Sequence, residues 1–204
     1  MKTFDRLQLI YALQTDVVRI ETAIKEQLSC LTPSVLLQAP EPGKWSIAQC
    51  LEHLNGYGRY YIPHLEAAIS KGEQLKAIAP ATFRSSWLGN YFTNLMKPKE
   101  DGTLKSKMQS PKDHRPAPAL DAAAVLQESL HQQQQLMRLL QRAEKINLQT
   151  LKVPISISRW IKLSAGDTFR FLIAHEQRHI LQALRVKSAI TGVKDISPAI
   201  LLAI

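Results

Sequence analysis

Glycine is scarce in this chain of 204 residues, at 8 positions, and only two cysteines occur, Cys30 and Cys50. So few cysteines exclude a disulfide framework and a thiolate metal site, and both read as free thiols. No apolar run reaches the roughly 18 residues that a membrane span requires. The opening stretch MKTFDRLQLIYALQTDVV carries Asp5, Arg6 and Asp16 within its apolar residues. It therefore lacks the uninterrupted core and small-residue cleavage site of a signal peptide, which predicts a cytoplasmic protein. Apolar residues make up 45% of the chain, enough for one domain with a sizeable core. The formal net charge of +9 is compatible with nucleic acid, with anionic small molecules or with solubility alone, and does not choose among them.

The apolar pattern is helical almost throughout. Leu7, Ile10, Leu13, Val17, Ile20, Ile24, Leu28 and Leu31 recur every three or four residues, which predicts a first helix over about 4–30, stopped at Thr32-Pro33. After a loop with Pro40, Pro42 and Gly43, Ser46 followed by Gln49 forms a capping box. A second helix should start there and run to about Ser70, kinked near Arg59 to Pro63 by the missing backbone donor. A third is predicted from about Asp121 to Lys145, with Leu126, Leu130, Met137 and Leu140 facing inward. Ser164 with Asp167 opens a fourth, running to about Ala189 with Gly192 beyond its end.

Between the second and third helices, RSSWLGNYFTNLM can hold a short helix, and KPKEDGTLKSKMQSPKDHRPAP is a proline-punctuated loop. LKVPISISRWIKL alternates weakly, but with no second strand to pair with it reads as an extended connection. The whole is an all-α four-helix bundle in a single domain, 1–204. It has a long connection between helices 2 and 3, and an apolar C-terminal tail at 190–204 that must pack on the bundle or on another subunit.

Chemistry concentrates in HEQRH, residues 175–179. His175 and His179, at i and i+4, lie one turn apart on one helix face and share an arc with Phe171, Leu172, Ala183 and Val186. Arg170, Gln177, Arg178 and Arg185 are expected to point elsewhere. His53 shares an inward arc with Cys50, Leu54, Tyr57, Tyr60 and Tyr61. A lone inward histidine is most often a hydrogen-bonded core residue. Three of them on facing helices are better explained by a shared ion, which gives every ring a partner. His64 is roughly 16 Å along its helix from His53, too far to share that ion. Solvent is the expected surrounding for His114 and His131.

The letters H-E-x-x-H also spell a zinc-protease signature, but the third ligand is missing. No glutamate follows Glu176, Arg185 stands six residues past His179, and Gln182 occupies the place of a required glycine. Three neutral imidazoles would leave a divalent ion with open coordination, able to make bound water or a thiol nucleophilic near neutral pH. Zinc or nickel suits such ligands. Glu176 is a candidate general base, for which Glu176→Gln should lower activity and leave the metal. An ion pair with a basic residue of a neighbouring helix is the favoured plain reading of the same residue. Tyr57 and Tyr60 can position a substrate or simply be core aromatics, and Cys50 reads as packing.

KWSIAQCLEHL ahead of a kinked helix, FRFLIAHEQRHILQA near the C-terminus, and SPKDHRP between them resemble the DinB/YfiT-like superfamily over nearly the whole chain. The helix-2 and helix-4 motifs are the distinctive ones. The resemblance implies a divalent metal bound by His53, His175 and His179, homodimerisation, and metal-dependent hydrolysis or S-transfer to a low-molecular-weight thiol. The competing reading is a non-catalytic, metal-stabilised binding module. It would use the basic 97–115 loop, with six basic and three acidic side chains and a net charge of +3, for anionic ligands or nucleic acid. Absence of aromatic interleaving and of a reading helix argues against nucleic acid.

Overall fold

The computed structural model describes residues 2–99, 110–111 and 114–193. Most of the basic 97–115 loop and most of the apolar tail, including AILLAI, lie outside the described residues. Strand β1 (Thr3–Asp5) leads into α1 (Arg6–Ala23). Asp5 caps α1 by accepting a hydrogen bond from the Gln8 amide at 2.8 Å, so the helix starts two residues later than the apolar stripe suggests. Leu9, Ile10, Leu13, Val17 and Ile20 are buried, whereas Leu7, at the start of the stripe, is 38% exposed. A π-helical turn over Ile24–Leu28 ends the rod. Pro33 then opens a short helix α2 (Pro33–Leu37), capped by Thr32, in what reads as a loop. Proline suits this first-turn position because its missing N–H would be unpaired there anyway.

Helix α3 (Ile47–Leu75) begins with the predicted capping box, Ser46 and Gln49 exchanging bonds of 3.1 and 3.0 Å. It continues through Pro63 and ends at Lys76, which takes a left-handed conformation (φ 48°). Strand β2 (Thr82–Arg84) returns to β1, with Phe4 opposite Phe83, a pairing of segments about eighty residues apart. Helix α4 (Trp87–Met96) follows, capped by Ser86. Helix α5 (Ala122–Ala143) is capped by Asp121. Its buried face runs through Val125, Ser129, Gln132, Leu136, Leu139 and Leu140, with Leu126, Leu130 and Met137 only partly buried at its edge.

The stretch expected to be a lone extended connection supplies its own partner. Strand β3 (Lys152–Ile155) pairs antiparallel with β4 (Ser158–Ser164), with an irregularity in register after Pro154. This hairpin is tied to α3: the Tyr61 hydroxyl accepts from the Ser156 amide at 3.0 Å, and the Tyr60 hydroxyl donates to the Ile155 carbonyl at 3.2 Å.

Helix α6 (Ala165–Thr191) starts at Ser164 and stops at Gly192, whose φ of 71° favours a residue without a side chain. Helices α1, α3, α5 and α6 form the bundle. α3 packs on α5 and α6, α1 packs on the same two, and α4 lies along the remaining side of α6. With α1, α3 and α4 around it, α6 is buried on every side from Ala165 to Leu181. Arg170, Gln177 and Arg178, expected to face away from the interior, are therefore buried at 7%, 4% and 6% exposure. Among the described residues, no helix is long and apolar enough to cross a membrane.

Candidate metal centre

His53 sits near the start of α3, seven residues past its cap, and His175 and His179 lie midway along α6. The packing of α3 on α6 brings the three rings together, with one ring nitrogen of each within 4.8 Å of the others. All three side chains are buried. They lie at the wall of a cavity of about 900 Å³ between α3, α4, α6 and the β3–β4 hairpin, a volume suited to a small organic ligand.

The hydrogen bonds around the rings determine which nitrogens face the centre. His53 donates from Nδ1 to the backbone carbonyl of His114 at 2.7 Å. His179 donates from Nδ1 to Gln182 Oε1 at 2.9 Å. Each bond holds its ring in the tautomer whose Nε2 carries a lone pair. His53 Nε2 and His175 Nε2 approach to 3.2 Å, and His175 Nδ1 is buried without a hydrogen-bond partner among the described residues.

Protonation is disfavoured at all three rings. Burial pushes His53 down to about 4, against the opposing pull of the His114 carbonyl. Burial, with the neighbouring His53 and Arg178 charges, pushes His179 down to about 3. Burial takes His175 well below the usual range, helped by the other histidines and by Arg178. Neutral imidazoles converging by Nε2, two with the opposite nitrogen fixed by an acceptor, are a donor set that fits a divalent cation of borderline softness.

The other predicted site residues divide. Tyr57, one turn after His53, lines the cavity with its ring centroid 4.3 Å from that of His175. Tyr60 does not line it; its ring stacks on His64 and its hydroxyl supports the hairpin. Glu176 does not line the cavity either. It is 2% exposed and turned toward Gln133 of α5, which donates a hydrogen bond to it. Burial pushes its carboxyl up to about 8, so it is protonated at neutral pH. Neither the general-base geometry nor the expected ion pair with a neighbouring helix is present among the described residues. Cys50 is buried packing, as expected, and His131 is exposed.

His114 departs from its expected solvent position. Its carbonyl orients His53, and its ring packs 4.6 Å from Tyr57. Trp45, Arg178 and Gln182 also line the cavity and escape the sequence reading, and Tyr61, on the inward arc of His53, lines it as well. Trp45 immediately precedes the Ser46 cap and lies 4.9 Å from the His53 ring. Tyr61 continues the i+4 line from His53 and Tyr57. Arg178 and Gln182 stand three and seven residues after His175, a helical spacing that returns to the same face.

The sequence pattern of the DinB superfamily matches residues 18–183. No curated protein matches. Among solved structures, the fold is similar to that of YfiT from Bacillus subtilis, described as a probable metal-dependent hydrolase with an unusual four-helix bundle topology. That likeness has a TM-score of 0.50 at 13% identity and covers 92% of this chain and 87% of the other. The family match spans both helices that carry the histidines, α3 and most of α6, and by it the chain belongs to the DinB superfamily.

Proposed function

We propose that the chain is a metal-dependent enzyme in which His53, His175 and His179 hold a zinc or nickel ion. The cavity beside them would present a small-molecule substrate to water, for hydrolysis, or to a low-molecular-weight thiol, for S-transfer. The observation that carries this reading is the convergence of three buried, neutral imidazoles, one ring nitrogen of each within 4.8 Å of the others, at a cavity wall. A divalent cation bound there supplies Lewis acidity, which lowers the pKa of water or a thiol toward neutrality.

The chain's own residues supply orientation and a dry surround. The His114 carbonyl and Gln182 hold two rings in the ligand tautomer. Trp45 and Tyr57 pack against the imidazoles, and Phe171 stacks on His175 at 5.9 Å between ring centroids. Such a shell excludes bulk water from the reacting groups and strengthens electrostatic interactions inside. Tyr57 is placed to contact a substrate. Burial pushes its phenol up to about 12, so it meets a substrate as a neutral hydroxyl.

Elemental analysis of protein purified without a polyhistidine tag tests the reading. About one zinc or nickel per chain is expected for the wild type, and near none for His53→Ala or His175→Ala with the helical circular dichroism retained. Metal at wild-type level in those variants overturns the proposal. Ester hydrolysis and adduct formation between glutathione or cysteine and an electrophilic dye, measured on the loaded protein, then separate the two reactions.

A further inference from the structure

The cavity extends away from the histidines between two facing helices. On α3, Tyr57 and Tyr61 follow His53 at intervals of four residues, so the three share a face and rise by roughly 6 Å per step. On α6 the matching positions run the other way. The Tyr57 ring lies 4.3 Å from that of His175, and the Tyr61 ring 5.7 Å from that of Phe171. Beyond the metal ligands the wall is apolar, through Phe92, Leu95, Met96, Leu163 and Phe171. Three hydroxyls interrupt it, those of Tyr57 and Tyr61 on α3 and that of Ser156 on the β3–β4 hairpin.

The hydrogen bonds of these hydroxyls leave one proton over. The Tyr61 oxygen accepts from the Ser156 amide at 3.0 Å, and the Ser156 hydroxyl bonds to both phenols. Among the described residues, no carbonyl, carboxylate or ring nitrogen accepts from any of the three. A buried phenol needs an acceptor for its proton, and for Tyr61 the acceptor in contact is the Ser156 hydroxyl oxygen. Ser156 then donates its own proton to the Tyr57 oxygen. The chain of three hydroxyls thus uses two of its three protons internally. The third, on Tyr57, stands at the end of the chain, on the cavity wall beside His175. Donors linked in this way polarise one another, which strengthens the terminal one.

We propose that Tyr57 donates this proton to a carbonyl oxygen of the substrate, that Ser156 and Tyr61 are positioning residues that aim it, and that the substrate is a carbonyl compound with an apolar body. This rests on the reading of the cavity as the enzyme's substrate site. A single neutral donor in an apolar wall discriminates between ligands. A carbonyl that enters regains a hydrogen bond for the water it gives up, whereas a hydrocarbon of similar shape leaves the Tyr57 proton unpaired.

The test uses the full-length protein after incubation with zinc. An uncharged fluorescent probe, N-phenylnaphthylamine, is displaced by acetophenone or by ethylbenzene, which has nearly the same shape and no oxygen. Acetophenone should displace the probe at the same concentration as ethylbenzene or a lower one, despite the cost of dehydrating its carbonyl. Tyr57→Phe should weaken acetophenone about 3- to 10-fold and leave ethylbenzene no weaker. Ser156→Ala should weaken acetophenone about 2- to 5-fold with ethylbenzene unchanged, and Ser156→Thr, which keeps a hydroxyl, should restore it. Tyr91→Phe, the same change at an exposed position of α4 outside the cavity, should match the wild type. The wild-type comparison and the Ser156 pair stand even if Tyr57→Phe fails to fold, which near-ultraviolet circular dichroism reports.

Acetophenone binding more weakly than ethylbenzene in the wild type, or an unchanged ratio of the two in folded Tyr57→Phe, overturns the inference. Equal losses of both ligands in Ser156→Ala, or no rescue by threonine, overturns the positioning role. Zinc measured in the same samples keeps this claim apart from the metal reading. Full zinc without ketone preference sinks the substrate class alone, whereas absence of zinc with the preference intact sinks the metal reading alone.

Discussion

Gln182 is the most informative perturbation of the metal centre, because it touches the site through one hydrogen bond and is not itself a ligand. Its Oε1 accepts the His179 Nδ1 proton at 2.9 Å. Gln182→Ala removes that acceptor and leaves a nearly buried ring N–H unsatisfied, a penalty of about 1–3 kcal/mol if no water replaces it. The ring then gains freedom to take the other tautomer, which protonates Nε2 and withdraws the nitrogen facing the centre. Together these should weaken zinc binding about 10- to 100-fold, or roughly 1.4–2.7 kcal/mol, the usual range for partners of metal-ligating histidines. Gln182→Glu keeps an acceptor and makes it anionic, so it should bind zinc at least as tightly as wild type. The measurement is competition for zinc against a chromophoric chelator, with helical circular dichroism confirming an unchanged fold. Wild-type affinity in Gln182→Ala, or an equal loss in Gln182→Glu, would show that the residue does not set the His179 tautomer.

Three further outcomes follow from burial and packing. Glu176→Gln should keep full zinc content and, under the proposed function, turnover. Its melting temperature should hold or rise, because an amide replaces an already neutral acid facing Gln133 away from the cavity; lost turnover with retained zinc would restore the catalytic role. Gly89→Ala should cost about 1–3 kcal/mol or more in urea unfolding, since the added Cβ would lie 2.1 Å from Asp167 Cγ. In native protein one thiol per chain should react quickly with Ellman's reagent and the second only after denaturation, because Cys30 is exposed while burial pushes the Cys50 thiol up.

The bundle and its three histidines were legible because both rest on local rules. Ser46 with Gln49 and Ser164 with Asp167 mark helix starts by chemistry confined to four residues. The i, i+4 spacing of His175 and His179 is a property of one helix. What escaped depends on contacts that local patterns do not encode. The β3–β4 hairpin turns at Ser156-Ile157, without the Asn-Gly or Gly-containing pair that announces a tight turn. The β1–β2 pair joins segments from opposite ends of α1 and α3. His114 acts through its carbonyl, and a backbone group leaves no residue-type signature.

Arg170, Gln177 and Arg178 show a different failure. A two-sided helical wheel, with one face for the core and one for water, puts all three on the outer side. Helix α6 has no water face over its first four turns, because α4 occupies the side that a simple four-helix bundle would leave open. Polar residues there must find partners inside, and each serves a different neighbour. Asp167 accepts hydrogen bonds from Ser85, Ser86 and Ser164, at 2.6–3.0 Å, and Arg170 donates to Ser85 and Asn90. These contacts tie α6 to the segment leading into α4, while Glu176 meets α5 and Arg178 opens onto the cavity.

The same clamp bears on the site. Asp167 is both part of the start of α6 and the anchor of the β2–α4 connection, and His175 lies eight residues on, about 12 Å along a helix packed on all sides. A helix held at its first turn and enclosed by three others cannot rotate or slide without breaking several buried hydrogen bonds. The positions of His175 and His179 relative to His53 are therefore determined by the fold before any ion arrives. Preorganisation on rigid elements is what a metal site needs for tight, selective binding. It is also consistent with a loop contribution to the centre, the His114 carbonyl, entering only as an orienting partner of His53 and not as one of the three converging nitrogens.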